Sequence, residues 1–274
     1  MKNNALCVFT TPKTVSVIFR DLIISPTELI DFVKKYRSEK MAIYKFDGTI
    51  NGIFSCIFES FMSNETPTDI LEHPIENCFT NIKHILSESD KSNRAIKVFV
   101  NFAGKAALND INYSFKSSNP NKAYIIFSYI RKTLARKTDI SNDFTCKETL
   151  AFYDLIRNIS TETDYYKTQL IFKVANNGVY FSSFSPDNDI TELLIANFNR
   201  QLPSRNIVIH DQKRNIIGMV HNGDRKFIKI ENFPQMPYSE ERFIIGLCND
   251  YFDESSYLKK SNNKDIRLSD LIAS

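Results

Sequence analysis

IVIHDQKRNIIGMVHNGDRKFIKI, residues 207–230, decides how the chain folds. Ile207–Ile209 and Ile216–Val220 are short apolar, β-branched runs bounded by polar turn residues, so each predicts a strand and neither is long enough for a helix. Asn222-Gly223 supplies the positive backbone angles of a tight hairpin turn, and Phe227–Ile230 is the returning strand. A second hairpin is predicted upstream from Leu170–Val174, the turn Asn176-Asn177-Gly178, and Val179–Phe184. Between the hairpins, Ser185-Pro186-Asp187 is expected to cap a helix. Its apolar positions Ile190, Leu193, Leu194 and Phe198 fall at helical spacing, and it should end near Pro203.

Toward the N-terminus the period changes from two to 3.6. Lys147–Asn158 predicts a helix, and so does the stretch after Pro120, where Ala123, Ile126, Phe127, Ile130 and Leu134 form one stripe. Helical periodicity also covers Arg94–Ala107, while Pro67 and Pro74 interrupt the pattern between Asn64 and Asn81. Tyr44–Thr49 reads as a strand and turn, with Asp47 expected to close the turn and cap the amphipathic helix of Ile50, Ile53, Phe54, Ile57, Phe58 and Phe61. Val15, Val17 and Phe19 alternate as a strand, and Ser25-Pro26-Thr27-Glu28 is a capping box ahead of Leu29, Ile30, Phe32, Val33 and Tyr36. Tyr238–Phe252 predicts a last helix, and the polar stretch Ser255–Lys264 is expected to be mobile. The fold class expected is α+β, a helical first half followed by a small antiparallel sheet with an inserted helix. Three segments follow: a strand-helix extension over 1–40, an α+β domain over 41–232, and a helix and tail over 233–274.

Composition excludes several classes. With 42% hydrophobic and 24% charged residues over 274 positions, the chain can fill a core and is neither disordered nor fibrous. No apolar stretch approaches the roughly 18 to 20 residues that span a bilayer, and Ala5–Phe9 is shorter than the roughly 7 to 15 of a secretory signal. A cytoplasmic protein with no membrane partner is expected. Seven glycines, none clustered, exclude a P-loop or dinucleotide cradle, so no nucleotide cofactor is expected. Cys7, Cys56, Cys78, Cys146 and Cys248 form no Cys-x-x-Cys pair, which argues for buried thiols rather than a zinc ribbon, iron–sulfur cluster or disulfide framework. His73, His84, His210 and His221 show no helical i, i+4 pair, so no metal site is expected.

The net charge of +3 is modest, but it is unevenly placed. Residues 200–229 hold Arg200, Arg205, Lys213, Arg214, Arg225, Lys226 and Lys229 against Asp211 and Asp224 alone. The helix after Pro120 carries Lys122, Arg131, Lys132, Arg136 and Lys137 with no acid among residues 120–137. Cationic faces neutralise phosphates and release counterions, so Arg131, Lys132, Arg136, Lys137, Arg200, Arg205, Lys213 and Arg214 are the candidate DNA contacts, with plain solvated surface as the alternative. The 22 phenylalanines and 12 tyrosines mostly fall at periodic core positions, leaving Tyr165 and Tyr166 as the stacking candidates. His210 and Asp211 are the candidate catalytic pair, a tuned acid or base beside cations that could hold a phosphate. Alternation along a strand sends the two to opposite faces, so Asp211 is expected as a turn-former or arginine partner ahead of a catalytic role.

YKFDGTINGIFSCIFESF at Tyr44–Phe61 resembles the opening of a bacterial family of probable DNA-metabolism or DNA-repair proteins whose domain has no assigned function. Ser185-Pro186-Asp187 through Leu193-Leu194 to Phe198 and Arg200 resembles a Pro-Asp, Leu-Leu, Phe, Arg run of that family, and IVIHDQKR at 207–214 resembles its Ile-His/Tyr-Asp-x-Lys-Arg strand. Tyr129-Ile130-Arg131 is similar to a Tyr-Leu-Arg element, and Arg157 with Glu162 to an Arg and Glu pair. The resemblance covers about residues 41–232. Asn206 stands where the family usually has tryptophan, and Thr168–Phe172 lacks the glycine and arginine of its Gly-Phe-x-Arg-Phe run. Members occur alone, fused ahead of a uracil-DNA-glycosylase-like domain, or encoded beside a radical-SAM protein. The resemblance implies DNA as a partner and an enzyme of one of those two kinds as a second.

Three functions fit these features. The first is a DNA-repair-associated accessory protein that binds nucleic acid and works with a separate enzyme. The second is a nucleic-acid-processing enzyme with His210 or Asp211 carrying the proton and Arg214 stabilising charge. The third is a protein-interaction module in which residues 1–40 dock a partner.

Overall fold

A computed structural model describes residues 42–73, 81–174, 178–221 and 223–230, together with the backbone of the strands Cys7–Thr11, Thr14–Phe19, Leu22–Ile23 and Asp265–Arg267. The helices expected over 29–36 and 238–252, the tail 255–264, and the turn residues Asn176, Asn177 and Asn222 lie outside the described residues. The chain divides into two compact units, residues 1–102 with 130–138, and residues 103–129 with 139–274.

In the first unit, β1 (Cys7–Thr11), β2 (Thr14–Phe19) and β3 (Leu22–Ile23) pair as an antiparallel meander. A separate sheet has β4 (Ala42–Lys45) at its centre, paired in parallel with β5 (Asp69–Leu71) and β6 (Asn81–His84). Helix α1 (Ile50–Met62) is the crossover between β4 and β5. Its N-cap is Thr49, whose Oγ1 accepts from the Gly52 amide at 2.9 Å. Asp47, expected as the cap, instead holds the cap: its Oδ1 accepts from the Thr49 amide at 3.0 Å and hydroxyl at 2.7 Å. Ile53, Phe54, Cys56 and Ile57 are buried, and Phe54 meets Phe99 edge-on with centroids 6.0 Å apart. The sequence does not announce a parallel sheet in this half, because β5 is three residues long and β6, Asn-Ile-Lys-His, carries no apolar alternation.

The helical run α2 (Ser89–Ser114) breaks at Gly104, where φ is 82° and ψ 172°, a conformation open to glycine and costly for other residues. This break lies next to the boundary between the units. Helix α3 (Lys122–Arg136) buries Ala123, Ile126, Phe127 and Ile130 as its stripe predicts.

In the second unit, α4 (Lys147–Gln169) continues well past Asn158, where the sequence predicts that period two begins. The sheet runs in the order β11, β10, β9, β8, β7, β12, built from β7 (Ile171–Val174), β8 (Tyr180–Phe184), β9 (Ile207–Asp211), β10 (Ile216–His221), β11 (Asp224–Lys229) and β12 (Asp265–Arg267). All pairings are antiparallel except β8 with β9, so the sheet is mixed rather than antiparallel. The cause is the inserted helix α5 (Thr191–Gln201), which returns the chain in the same direction and joins the two hairpins. The architecture is α+β.

Phe172, Phe184, Ile190, Leu194, Ile195, Phe198, Ile207, Ile209 and Val220 form the core beneath α5, with Ile159 of α4 joining them. Gly218 allows the close approach: a Cβ there would lie 2.5 Å from Ile195 Cγ1 and 3.1 Å from Thr191 Cγ2. Helix α5 starts at Thr191 with no side-chain cap, so Ser185-Pro186-Asp187 is a loop ahead of the helix rather than its cap. Among the described residues no helix is long and apolar enough to cross a membrane.

Candidate functional site

Strand β9 ends on Asp211, and this carboxylate organises the turn after the strand. Its Oδ1 accepts from the amides of Lys213 at 3.0 Å and Arg214 at 3.2 Å, which closes the turn. Its Oδ2 accepts from Arg214 Nη1 at 3.0 Å and Thr191 Oγ1 at 3.3 Å. A fully buried carboxylate needs such partners, and here all of them are structural. Arg214 then reaches the distant loop before α5, donating to the carbonyl oxygens of Pro186 at 3.2 Å and of Asp187. Lys213 Nζ sits 2.6 Å from Asp187 Oδ1, and this ammonium holds the Asp187 carboxyl below its usual range.

Helix α4 grips the same loop from the other side. Glu162 accepts from the Asp187 amide at 2.6 Å, the Asn188 amide at 2.8 Å and Asn188 Nδ2 at 2.6 Å. Asn188 Oδ1 in turn accepts from the Ser118 amide at 2.8 Å, and the Asp189 amide donates to Lys116 O at 2.9 Å. Lys116 Nζ pairs with Glu192 Oε2 at 2.6 Å, and this ammonium holds the Glu192 carboxyl low. Lys122 Nζ donates to the carbonyls of Phe115 and Ser117, both at 2.8 Å.

These bonds fix the two walls of a cleft of about 700 Å³. One wall is Ser117–Pro120 with Asp187 and Asn188, and the other is Asn158, Thr161, Glu162, Tyr165 and Tyr166 of α4. Asn158, Thr161, Glu162 and Tyr165 recur at i, i+3, i+4 and i+7, one face of the helix, while Phe152, Leu155, Ile159 and Thr163 are buried. Tyr166 is anchored: its hydroxyl donates to Ser185 O at 3.3 Å, its ring meets Phe184 edge-on at 5.1 Å, and burial raises its pKa. Tyr165 meets Tyr166 edge-on at 5.3 Å and is 59% exposed.

His210 and Asp211, the candidate catalytic pair, do not line this cleft. His210 is 2% exposed and lies between Ile217 of β10 and Ser183 of β8, on the sheet face opposite Asp211. Arg205 is half-buried, with Nη1 donating to Tyr180 Oη at 3.1 Å and its guanidinium 5.6 Å from that ring's centroid. Arg200 is exposed in the last turn of α5. In the first unit, Arg131 lies 5.9 Å from the Phe61 ring centroid, Lys132 is half-buried, and Arg136 and Lys137 are exposed at the end of α3. Lys213 and Arg214, expected as phosphate contacts, are the pair that ties down the 186–187 loop. Sequence patterns give no sign of the joint role of Ser118, Asn188 and Asn158. Glu162 stands out through the family resemblance alone, and its companion Arg157 is exposed and pairs with Asp154 at 2.8 Å.

A profile described as a domain of unknown function, DUF4130, matches residues 120–269. The chain belongs to this family. The DUF4130 region contains Tyr129–Arg131, Glu162, the 185–200 run and the 207–214 strand, begins after the Tyr44–Phe61 stretch, and runs beyond residue 232. It holds most of the cleft, including all of its α4 wall and the loop residues Asp187 and Asn188. Neither curated proteins nor solved structures gave a match.

Proposed function

We propose that this protein is a cytoplasmic, DNA-repair-associated accessory protein that binds nucleic acid and works with a separate enzyme. The observation that carries the reading is the edge strand β11. It is exposed over nearly its whole length, and alternation sets Arg225, Phe227 and Lys229 on one face, with the Phe227 side chain 42% exposed. Phe227 pairs opposite Gly218, so this is the face on which α5 lies. Asn199 Nδ2 donates to Gly223 O at 2.7 Å, which brings the end of α5, and with it Arg200, beside the start of β11. Cations interleaved with an aromatic suit a phosphodiester backbone. The resemblance to DNA-metabolism proteins supports the same reading and suggests a uracil-DNA-glycosylase-like or radical-SAM partner to perform the chemistry. His210 and Asp211 are buried, which favours this accessory role over catalysis at that pair.

The test is a salt titration of binding to single-stranded, duplex and uracil-containing DNA, with product analysis of the same mixtures. Binding should weaken steeply with salt, and the DNA should come back unchanged. The variant Arg200→Glu/Arg225→Glu/Lys229→Glu should bind about tenfold or more weakly and show a shallower salt dependence, by about 0.9 in log–log slope on duplex and about 0.7 on single strands for each phosphate it no longer neutralises. Salt-insensitive binding, or release of a base by the chain alone, would overturn the proposal.

A further inference from the structure

The cleft is distinct from the cationic strip in its chemistry. Its α4 wall offers an amide (Asn158), a hydroxyl (Thr161) and an exposed aromatic ring (Tyr165) on one helical face, with Ser118 on the wall opposite. Its two carboxylates are already committed, Glu162 to the loop amides and Asp187 to Lys213. Anions next to the opening disfavour a phosphate inside it, and neutral donors and acceptors beside a π-face favour a flat, uncharged, hydrogen-bonding group. A base stacks on an aromatic ring and presents its edge to amides and hydroxyls, which is how unpaired nucleotides are held. The strip also leads toward the cleft. Arg225 acts electrostatically on Glu192, Glu192 is gripped by Lys116, and Ser117 next along the chain is a lining residue.

Resting on the nucleic-acid reading above, we infer that this cleft takes an unpaired nucleobase of single-stranded DNA, stacked on Tyr165 and read at its edge by Asn158, Thr161 and Ser118. Its walls are held by Glu162, Asn188 and Arg214, so the site is formed before the base arrives. The volume accommodates a base with its sugar, leaving the phosphates outside on the cationic surface.

The experiment uses the full chain and a single-stranded oligonucleotide carrying one 2-aminopurine, read by fluorescence, with an unlabelled duplex measured in parallel. Binding should quench the probe. Tyr165→Ala should weaken single-strand binding by about tenfold and remove the quench, while Tyr165→Phe retains both. Duplex affinity should stay the same in both variants, and circular dichroism should confirm that they fold. If Tyr165→Ala binds and quenches as the parent does while the Arg200/Arg225/Lys229 reversal still weakens binding, the cleft assignment is wrong and the nucleic-acid reading stands. Should the parent bind no DNA, both fall. Displacement of the oligonucleotide by a neutral oligosaccharide, which amides and a tyrosine could also hold, would likewise overturn the inference.

Discussion

Asp47 and Asp211 close the same kind of turn after a strand, one in each unit, and their consequences differ. Asp47 is exposed, and its Oδ1 bonds stay within two residues, on the Thr49 amide and hydroxyl. Asp211 is fully buried, and through Arg214 it positions the carbonyls of Pro186 and Asp187. A short polar residue in a turn shapes the local backbone wherever it sits. It becomes an organiser of distant structure only when burial obliges it to recruit a charged partner long enough to reach elsewhere.

The largest effect should come from Asp211→Ala. It strips Arg214 of its carboxylate and leaves two turn amides without an acceptor, and urea unfolding should report a loss of about 3 kcal/mol or more. A loss below about 1 kcal/mol would make the two aspartates equivalent and break the comparison. Asp47→Ala should cost about 1 kcal/mol, since the Thr49 cap itself remains. Cys56 in α1 gives this smaller change its own readout. Burial, assisted by the negative charges of Asp47 and Glu59, pushes its thiol up to about 12, so it should resist alkylation at neutral pH. In Asp47→Ala its alkylation, followed by mass spectrometry, should speed up about fivefold, the factor that corresponds to about 1 kcal/mol of easier opening. Unchanged labelling would show that Asp47 does not support α1.

The smallest effect is the acid dependence of the cleft's supports. Lys116 lowers the Glu192 carboxyl below its usual 4.5, so the pair's stabilisation is fully present above that pH and is lost as pH falls through the lower native value. The pair is at the surface, and the effect should be slight. Melting curves from about pH 6 to about pH 3 should fall more steeply for the parent than for Lys116→Met. Parallel curves would show that Glu192 does not support the cleft.

Much of this fold is legible in the sequence where an apolar stripe or an alternation faces a core. The amphipathic α1 and α3 are of that kind, β9 and β10 show as short apolar runs that are buried, and the exposed β11 is legible only as the strand that returns from the Asn222-Gly223 turn. The second half of α4 is not, because Thr161–Gln169 carries polar residues where the helix faces the cleft and solvent, and only Thr163 is buried there. Its helicity comes from tertiary context rather than from an apolar stripe. The start of α5 is hidden for a related reason. Ser185-Pro186-Asp187 looks like a cap, but the amides of Asp187 and Asn188 are taken by Glu162 from α4, a partner no local pattern announces. For the site, Tyr165 and Tyr166 stand out as aromatics without a core position, whereas Asn158, Ser118 and Asn188 become neighbours only through the packing of α4 against the loops.

The Glu162 bridge has a consequence that amide hydrogen exchange makes visible. Loop amides ordinarily exchange with solvent almost as fast as those of an unfolded peptide, because nothing holds their protons. Those of Asp187 and Asn188 are held by a carboxylate mounted on a long helix, so their protons leave only when the loop and α4 separate. Slow exchange of these two loop protons is therefore a clock for how often the wall of the cleft opens.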